Sequence, residues 1–509
     1  MIILFGRWAL VDRARSIALI STFMIAQHSG AAETIPEVVP QLPAPLQAPL
    51  GNLLNVDSLR RAKPVGGSLV YVNGYHTSGD GGGGMYQLDA SDSTSADNGG
   101  NVIIDGRGAR WKLAPAFPTT VRTFGAKGNG QADDSDAFRR ALLSLRALVI
   151  PEGIYRISGG LVISQNGMKI RGAGTTATKI LIDSSNLSGI TLKPGLNNIE
   201  LSGFTLTREK SPVAGAYGID FTQASVGQSL LKDLIVERHF RNIGLGPTDY
   251  SLVQNVISQH ATDVGMYLTN TTMDGTCQWT LDRVLSQKNG AVGIMFRART
   301  GPHQVTLGTW KDISTFANSS NGIAVLGLSS TPVQGVRISG GFMGEDGDSE
   351  ILLDTYGGQH QLLGTFVELA GRGKTGREFS TQPSNIGSGI EVTPNNLDTQ
   401  ITSIHSNGNS WDGLSLSGVV NIVGNSRATN NGLARKPGRR NGVRALGPSR
   451  LIISGGYFGN TGAGTSQQYG ANASDKKLVT IVGADMSRNT VASFADDDSE
   501  KAISAIESR

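Results

Sequence analysis

Acidic side chains crowd the segment GGFMGEDGDSEILLDTY, where Glu345, Asp346, Asp348 and Glu350 stand close together and Asp354, His360 and Glu368 follow. Two carboxyl groups suit hydrolysis of a glycosidic bond, one protonated to assist the leaving oxygen and one ionised. Crowding raises the pKa of one acid and so helps to supply the donor. The same oxygens suit Ca²⁺, a hard cation that takes several carboxylates, although EDGDSE has neither the spacing nor the flanking helices of an EF-hand. Successive residues on a strand alternate faces, so at most two or three of these acids converge. Glu345, Asp346 and Asp348 are the candidate catalytic acids; a surface turn bearing solvated acids is the plain alternative.

Basic residues form a second constellation. His239, His260 and Lys288 could each act as a general base, while Arg238, Arg241, Asp263, Tyr356 and His360 are candidates for holding a substrate. Internal repeats relate them. VERHFRNIG (236–244) superimposes on ISQHATDVG (257–265) with a shift of 21, and VISQHATDVGMYL (256–268) on VLSQKNGAVGIMF (284–296) with a shift of 28. A shift of 29 leads to ISTFANSSNGIAV (313–325), and one of 28 to MGEDGDSEILL (343–353). Repeats of this length, built of strands and variable loops, predict a β-solenoid. Leucine-rich repeats lack support because LxxLxL is absent, and a propeller needs four strands per longer repeat.

Stacked coils put equivalent positions in columns about 4.8 Å apart. This alignment places His239, His260, Lys288, Ala317 and Glu345 in one column, and Asn242 and Asp263 in another. If the first column faces solvent, it is a basic ridge grading into acid, suited to an anionic sugar chain. A slip of one residue would turn those side chains to the opposite face. Trp279, Trp310 and Trp411 either stack on sugar rings or fill the core.

The solenoid's entry is legible at Val121–Leu143, VRTFGAKGNGQADDSDAFRRALL. A short strand leads into a glycine turn, and Asp133, Asp134 and Ser135 are good N-cap residues for a helix. Ala137, Phe138, Ala141, Leu142 and Leu145 form its apolar stripe. FGAKGNGQADDSDAF, then IPEGIYRI (150–157) and GAGTTAT (172–178), resemble the opening phrases of the pectate-lyase-like right-handed parallel β-helix superfamily. The resemblance implies an all-β solenoid over residues 120–485, capped by that one short helix. Upstream, residues 56–115, containing GYHTSGDGGGGMYQLDA and NVIIDGRGARWKL, are similar to the small module that precedes β-helices in phage tailspikes. GDGGGG is no phosphate loop, since it lacks the Lys-Ser/Thr pair and a following helix. The NTD, GDD, GHG and RIK strings of polygalacturonase-like members, the RxxPxxR of pectate lyases and the DPHD of alginate epimerases do not occur. Superfamily membership therefore does not name the reaction.

Composition sets the remaining bounds. Sixty-eight glycines, 6% aromatic and 17% charged residues in a chain of 509 suit short strands and many turns, and neither collagen nor a disordered chain fits. The single cysteine, Cys277, excludes intrachain disulfides and cysteine-cluster metal sites. Arg13 and Arg15 before the short apolar run 17–26, with Gly30-Ala31-Ala32 after it, read as an export signal over 1–32. A proline-rich linker over 33–55 follows, and 486–509 read as a polar, frayed tail. Net charge is only +4, so composition makes no case for nucleic acid or membrane partners.

The expected protein is a secreted or periplasmic, bacterial-type enzyme that degrades polysaccharide, as a lyase or a glycoside hydrolase, with no cofactor implied other than Ca²⁺. The superfamily resemblance tips that choice toward the lyase. The alternatives are a non-catalytic exopolysaccharide-binding surface protein and a tailspike-like depolymerase, which would be a trimer.

Overall fold

The computed structural model describes residues 51–63, 69–223, 225–270, 276–301, 304–371, 387–435, 439–446, 450–461, 466–473, 479–496 and 499–503. The expected export signal and most of the proline-rich linker lie outside these residues.

The amino-terminal module is a five-stranded sheet whose hairpins pair Leu69–Val72 with Gly84–Asp89, and Gly84–Asp89 with Arg110–Leu113. Its small core joins Val56, Leu59, Val72, Tyr86, Ile103 and Trp111. The GDGGGG run is required by close approach: a Cβ on Gly82 would fall 2.4 Å from Arg122 O, and one on Gly83 2.1 Å from Val72 O.

Beyond it lies an all-β, right-handed parallel β-solenoid of about eleven turns. The helix Ser135–Ser144 covers the open first coil with Ala137, Phe138, Ala141 and Leu142. Its cap differs in detail from the expectation. Asp133 Oδ1 accepts the Ser135 N–H at 3.0 Å, whereas Asp134 turns inward to accept the Lys127 and Gly128 N–H groups at 2.7 and 3.0 Å.

Each coil runs along a long 22-stranded sheet, turns a bend, continues along the same sheet, rounds a tight corner and enters a 14-stranded sheet. Residues alternate in and out, so Ile294, Ile323, Ile351, Ile390 and Leu414 form one fully buried column. Each such side chain contributes roughly 2 kcal/mol relative to exposure. Trp279 and Trp310 are core, at 0% and 1% exposure, so they present no sugar platform. Cys277 is buried as well. Within the 486–509 segment, Ala492–Asp496 pairs parallel with Tyr469–Ala473 and antiparallel with Ser499–Ile503, the last strand of the second sheet.

An internal amide ladder lines the tight corner. Asn289 Nδ2 donates to Asn318 Oδ1 at 2.7 Å, and Asn318 Nδ2 to Asp346 Oδ1 at 2.8 Å. Farther along, Asn409 Nδ2 donates to Asn431 Oδ1 at 2.8 Å. The backbone N–H of each rung also donates to the side-chain oxygen of the next. These side chains occupy the space of a glycine column. A Cβ on Gly265 would lie 2.6 Å from Asn289 Nδ2, and one on Gly322 2.4 Å from Asp346 Oδ2.

Candidate functional site

The corner residues over this ladder are Arg238, His260 and Lys288, which are exposed, and Ala317, Glu345 and Leu369, which are half-buried, all with left-handed backbone at φ between 53° and 66°. Strand pairing puts Glu237 beside Gln259, and hence Arg238, not His239, over His260. The expected register fails on this one coil. The later shifts of 28, 29 and 28 hold, because Ser286 pairs with Ser258, Thr315 with Ser286 and Met343 with Thr315. Asp263 likewise stacks on Phe240, whose carbonyl accepts its N–H at 2.9 Å, and not on Asn242.

The structure thus gathers Arg238, His260 and Lys288 on adjacent coils, with Glu345 two coils past Lys288, about 10 Å at 4.8 Å per coil. His239 points inward and is fully buried. Its Nδ1 accepts from Arg208 Nε at 3.1 Å, and burial, with Arg208 beside it, lowers its pKa to about 3. A neutral, enclosed imidazole is a packing group, so the expected surface base is displaced. Asp346 is likewise enclosed as a ladder rung. His360 is buried, with Nδ1 accepting the Val336 N–H at 3.3 Å and Nε2 2.7 Å from Thr355 Oγ1. Tyr356 is exposed on a separate turn after Ile351–Asp354.

Two of the candidate substrate-holding residues pair with each other. Arg241 Nε lies 2.6 Å from Asp263 Oδ2, its Nη1 donates to Tyr217 Oη at 3.0 Å, and its guanidinium sits 4.1 Å from the Tyr267 ring centroid. This anchors the outside of the corner, with the cation already paired. Asp348 is half-buried and its Oδ1 accepts the Ser349 N–H at 2.9 Å. The acids therefore do not converge as a Ca²⁺ site would require. Among the described residues no group of three or more His, Cys, Asp or Glu side chains is placed to hold a metal ion.

Beside Glu345 runs a surface that the sequence reading missed. The outward positions of the strands before the corner are Ser314, Phe342, Phe366, His405, Arg427 and Tyr457 in one column. Phe316, Gly344, Glu368 and Asn407 form the next. Phe342 and Phe366 are 37% and 49% exposed, unusual for adjacent aromatics on an unpaired sheet face. Phe342 lies over Gly344, where a Cβ would come within 2.8 Å of its ring. Phe366 and His405 have ring centroids 5.0 Å apart. Burial and the Arg427 charge lower the His405 pKa and so favour the neutral imidazole, against an opposing pull from Glu368. Extending the repeat by 24 residues, from GGFMG to GTFVE, would have shown the stripe.

Another concavity, of about 290 Å³, is lined by Gln304, Thr306, Leu307, Gln334, Gly335, Arg337 and Gln359. Its amides and single cation fit hydroxyl-rich ligands.

Comparison with known proteins matches this geometry. Residues 119–341 match the family described as rhamnogalacturonase A/epimerase, pectate lyase-like. The pectate-lyase-like match thus covers the first part of the solenoid. Residues 53–115 match the phage tail protein small four-stranded β-sheet domain. The chain is 36% identical over 96 residues to the pre-neck appendage protein of Bacillus phage B103 and 35% identical to that of phage phi29. Each match covers 18% of this chain and only 11% of the phage protein. Among solved structures, tailspike protein 2 of Escherichia coli O157:H7 bacteriophage CAB120 superimposes with a TM-score of 0.50 at 16% identity, over 85% of this chain and 51% of that one. The gp42 tailspike of Acinetobacter phage vb_AbaP_AS12 gives 0.50 at 13% identity, over 86% of this chain and 73% of its own. These likenesses concern the fold.

Proposed function

We propose that the protein binds an acidic polysaccharide across its coils along Phe342, Phe366 and His405 and cleaves it by β-elimination. The observation that carries this reading is His405, whose ring packs against Phe366 with centroids 5.0 Å apart and planes tilted by 53°, with Arg427 on one neighbouring coil and Glu368 on the other. The aromatic faces supply stacking area for sugar rings. Arg427 pairs with the uronate carboxylate, which makes the adjacent C5–H more acidic. His405 takes that proton; its electron pair forms the C4–C5 double bond, and the C4 oxygen of the departing sugar leaves with a proton from solvent. His260 and Lys288 lie on the corner alongside and could hold further anionic units.

A hydrolytic reading has its own support, because Glu345 and Glu368 lie on adjacent coils at this surface, and one could serve as acid while the other ionises. Asp348 stands on the far side of the corner. The family match and the tailspike likeness favour a sugar polymer as ligand. An export signal over 1–32 would direct the protein to the periplasm or beyond, and trimerisation is the arrangement to test if it acts as a tailspike does.

The test uses the full chain against a panel of acidic and neutral polysaccharides, following chain length together with the ultraviolet absorbance of unsaturated uronates. Shortening with absorbance, abolished in His405→Ala, supports elimination. Shortening without absorbance, abolished in Glu345→Gln and Glu368→Gln, moves the assignment to hydrolysis. Binding that depends on Phe366 with no shortening leaves a polysaccharide-binding protein, and neither binding nor shortening overturns the reading.

A further inference from the structure

The ladder changes chemistry at one step. From Asn289 through Asn318 to Asp346, each link is an amide N–H meeting an oxygen. The next rung position is Ala370, which has no polar side chain, and its place is taken by Glu350 from the coil before. Glu350 stands in the glycine column, level with Gly322 and Gly389. Its Oε1 accepts the Asp346 N–H at 3.3 Å, as the next rung's oxygen does elsewhere. Asp346 and Glu350 are both 0% exposed, and their carboxyl groups are in hydrogen-bonding contact. Glu350 Oε2 accepts no N–H or O–H from the neighbouring amides and hydroxyls.

Two carboxylates cannot sit in contact in this interior with both ionised, since desolvation and repulsion act together. Asp346 is the better-stabilised anion. Its Oδ1 accepts from the Asn318 N–H and Nδ2 at 2.7 and 2.8 Å, and its Oδ2 from Thr315 Oγ1 at 2.8 Å. Nothing comparable holds a charge on Glu350. The coil below presents Thr315, Asn318 and Gly322, and the coil above Val367, Ala370, Ser388 and Gly389, with Asn409 one coil further on, none of which ionises. The further charge felt at Glu350 is Glu345, and Asp348 and Glu391 flank the pair along the chain and on the next coil, all acidic. Serine or threonine stands three residues before the rung at Ser258, Ser286, Thr315 and Ser406, but Val367 holds that place here, so no hydroxyl meets Glu350.

We propose that Asp346 and Glu350 share one proton at neutral pH, carried by Glu350 in the place of the ladder's amide N–H, and that its loss on alkalinisation loosens the coils beneath Glu345. Burial and the neighbouring Asp346 charge push the Glu350 pKa well above the ordinary carboxyl value. A pKa raised on folding gives stability that is full below the unfolded value, about 4.3, and lost as pH rises toward the folded value. The device is independent of what the surface binds.

The experiment compares the full-length protein with Glu350→Gln. A glutamine amide donates permanently to the Asp346 carboxylate while its oxygen still accepts the Asp346 N–H. Wild type is expected to lose melting temperature from pH 5 to pH 9 relative to the variant, and to show at neutral pH the infrared carbonyl band of a protonated carboxylic acid, absent from the variant. Asp346→Asn, which restores the amide from the other side, serves if Glu350→Gln does not fold. Parallel melting profiles in wild type and variant, or no acid band in wild type, would overturn the proposal.

Discussion

Asn242 completes the rung that Ala261 leaves empty. Asn242 Nδ2 donates to Ser258 Oγ at 3.1 Å, as Asn289 Nδ2 does to Ser286 Oγ on its own rung at the same distance. Asn242 Oδ1 also accepts the His239 N–H at 3.1 Å. The column it stands in is otherwise glycine except at Glu350, and alanine occupies the following rung in both places. Rung and column thus exchange side chains as a pair, keeping one polar group per coil in the ladder.

That exchange predicts a rescue. Asn242→Gly leaves a buried backbone N–H and a serine hydroxyl without their amide, at about 2–3 kcal/mol. Adding Ala261→Asn rebuilds the arrangement seen at Gly265 and Asn289. In urea unfolding the double variant should recover most of the loss. Simple additivity of the two changes would show that position, and not pairing, sets the cost.

The corner column supplies a stabilising change. Ala317 holds φ at 55°, a conformation that costs an L-residue roughly 1 kcal/mol and glycine nothing. Ala317→Gly should raise unfolding stability by about 1 kcal/mol, measured by denaturant midpoint, with polysaccharide binding unchanged. A lower midpoint would show that glycine's added freedom in the unfolded chain outweighs the relieved strain.

Aromatic stacking is testable apart from any chemistry. Phe366 projects half-exposed from the sheet, so Phe366→Ala should leave melting temperature nearly unchanged. It should weaken polymer binding by about 1 kcal/mol, roughly fivefold, in affinity electrophoresis. Phe342→Ala should act similarly, and unchanged affinity in both would remove the stripe from the binding surface.

Much of this architecture was legible because backbone demands recur. The helix stripe of Phe138 and Leu142, the turn at Pro151–Gly153 and the 28- and 29-residue coils declare themselves by period. The coil bearing His239 misled because its corner is one residue shorter: Glu237 to Ile243 spans what Gln259 to Met266 spans with one more residue. Matching Gly244 to Gly265 concealed this, since the true partner of Gly265 is Asn242. That single slip carried His239 from the interior to the surface. Asp346 misled for another reason, because a rung acid and a surface acid look alike until its asparagine neighbours are seen to stack. Phe342 and Phe366 were missed because the repeat was not carried on from GGFMG to GTFVE, and only strand alternation shows them facing out.

Acid sensitivity follows from the buried imidazoles. Burial lowers His360 to about 4, from the 6.5 expected when unfolded. A depressed pKa gives stability that is complete above pH 6.5 and lost as pH falls toward 4, because only the unfolded chain takes up the proton. The shift corresponds to about 3 kcal/mol for His360, and His239 acts in the same direction. His360→Asn, whose Oδ1 can accept the Val336 N–H, should start less stable at pH 7 yet lose less between pH 6.5 and 4. Combined with the opposite trend at Glu350, this gives wild type a maximum of melting temperature on the mildly acidic side of neutrality. An acid limb of equal slope in His360→Asn would assign the acid loss to other groups.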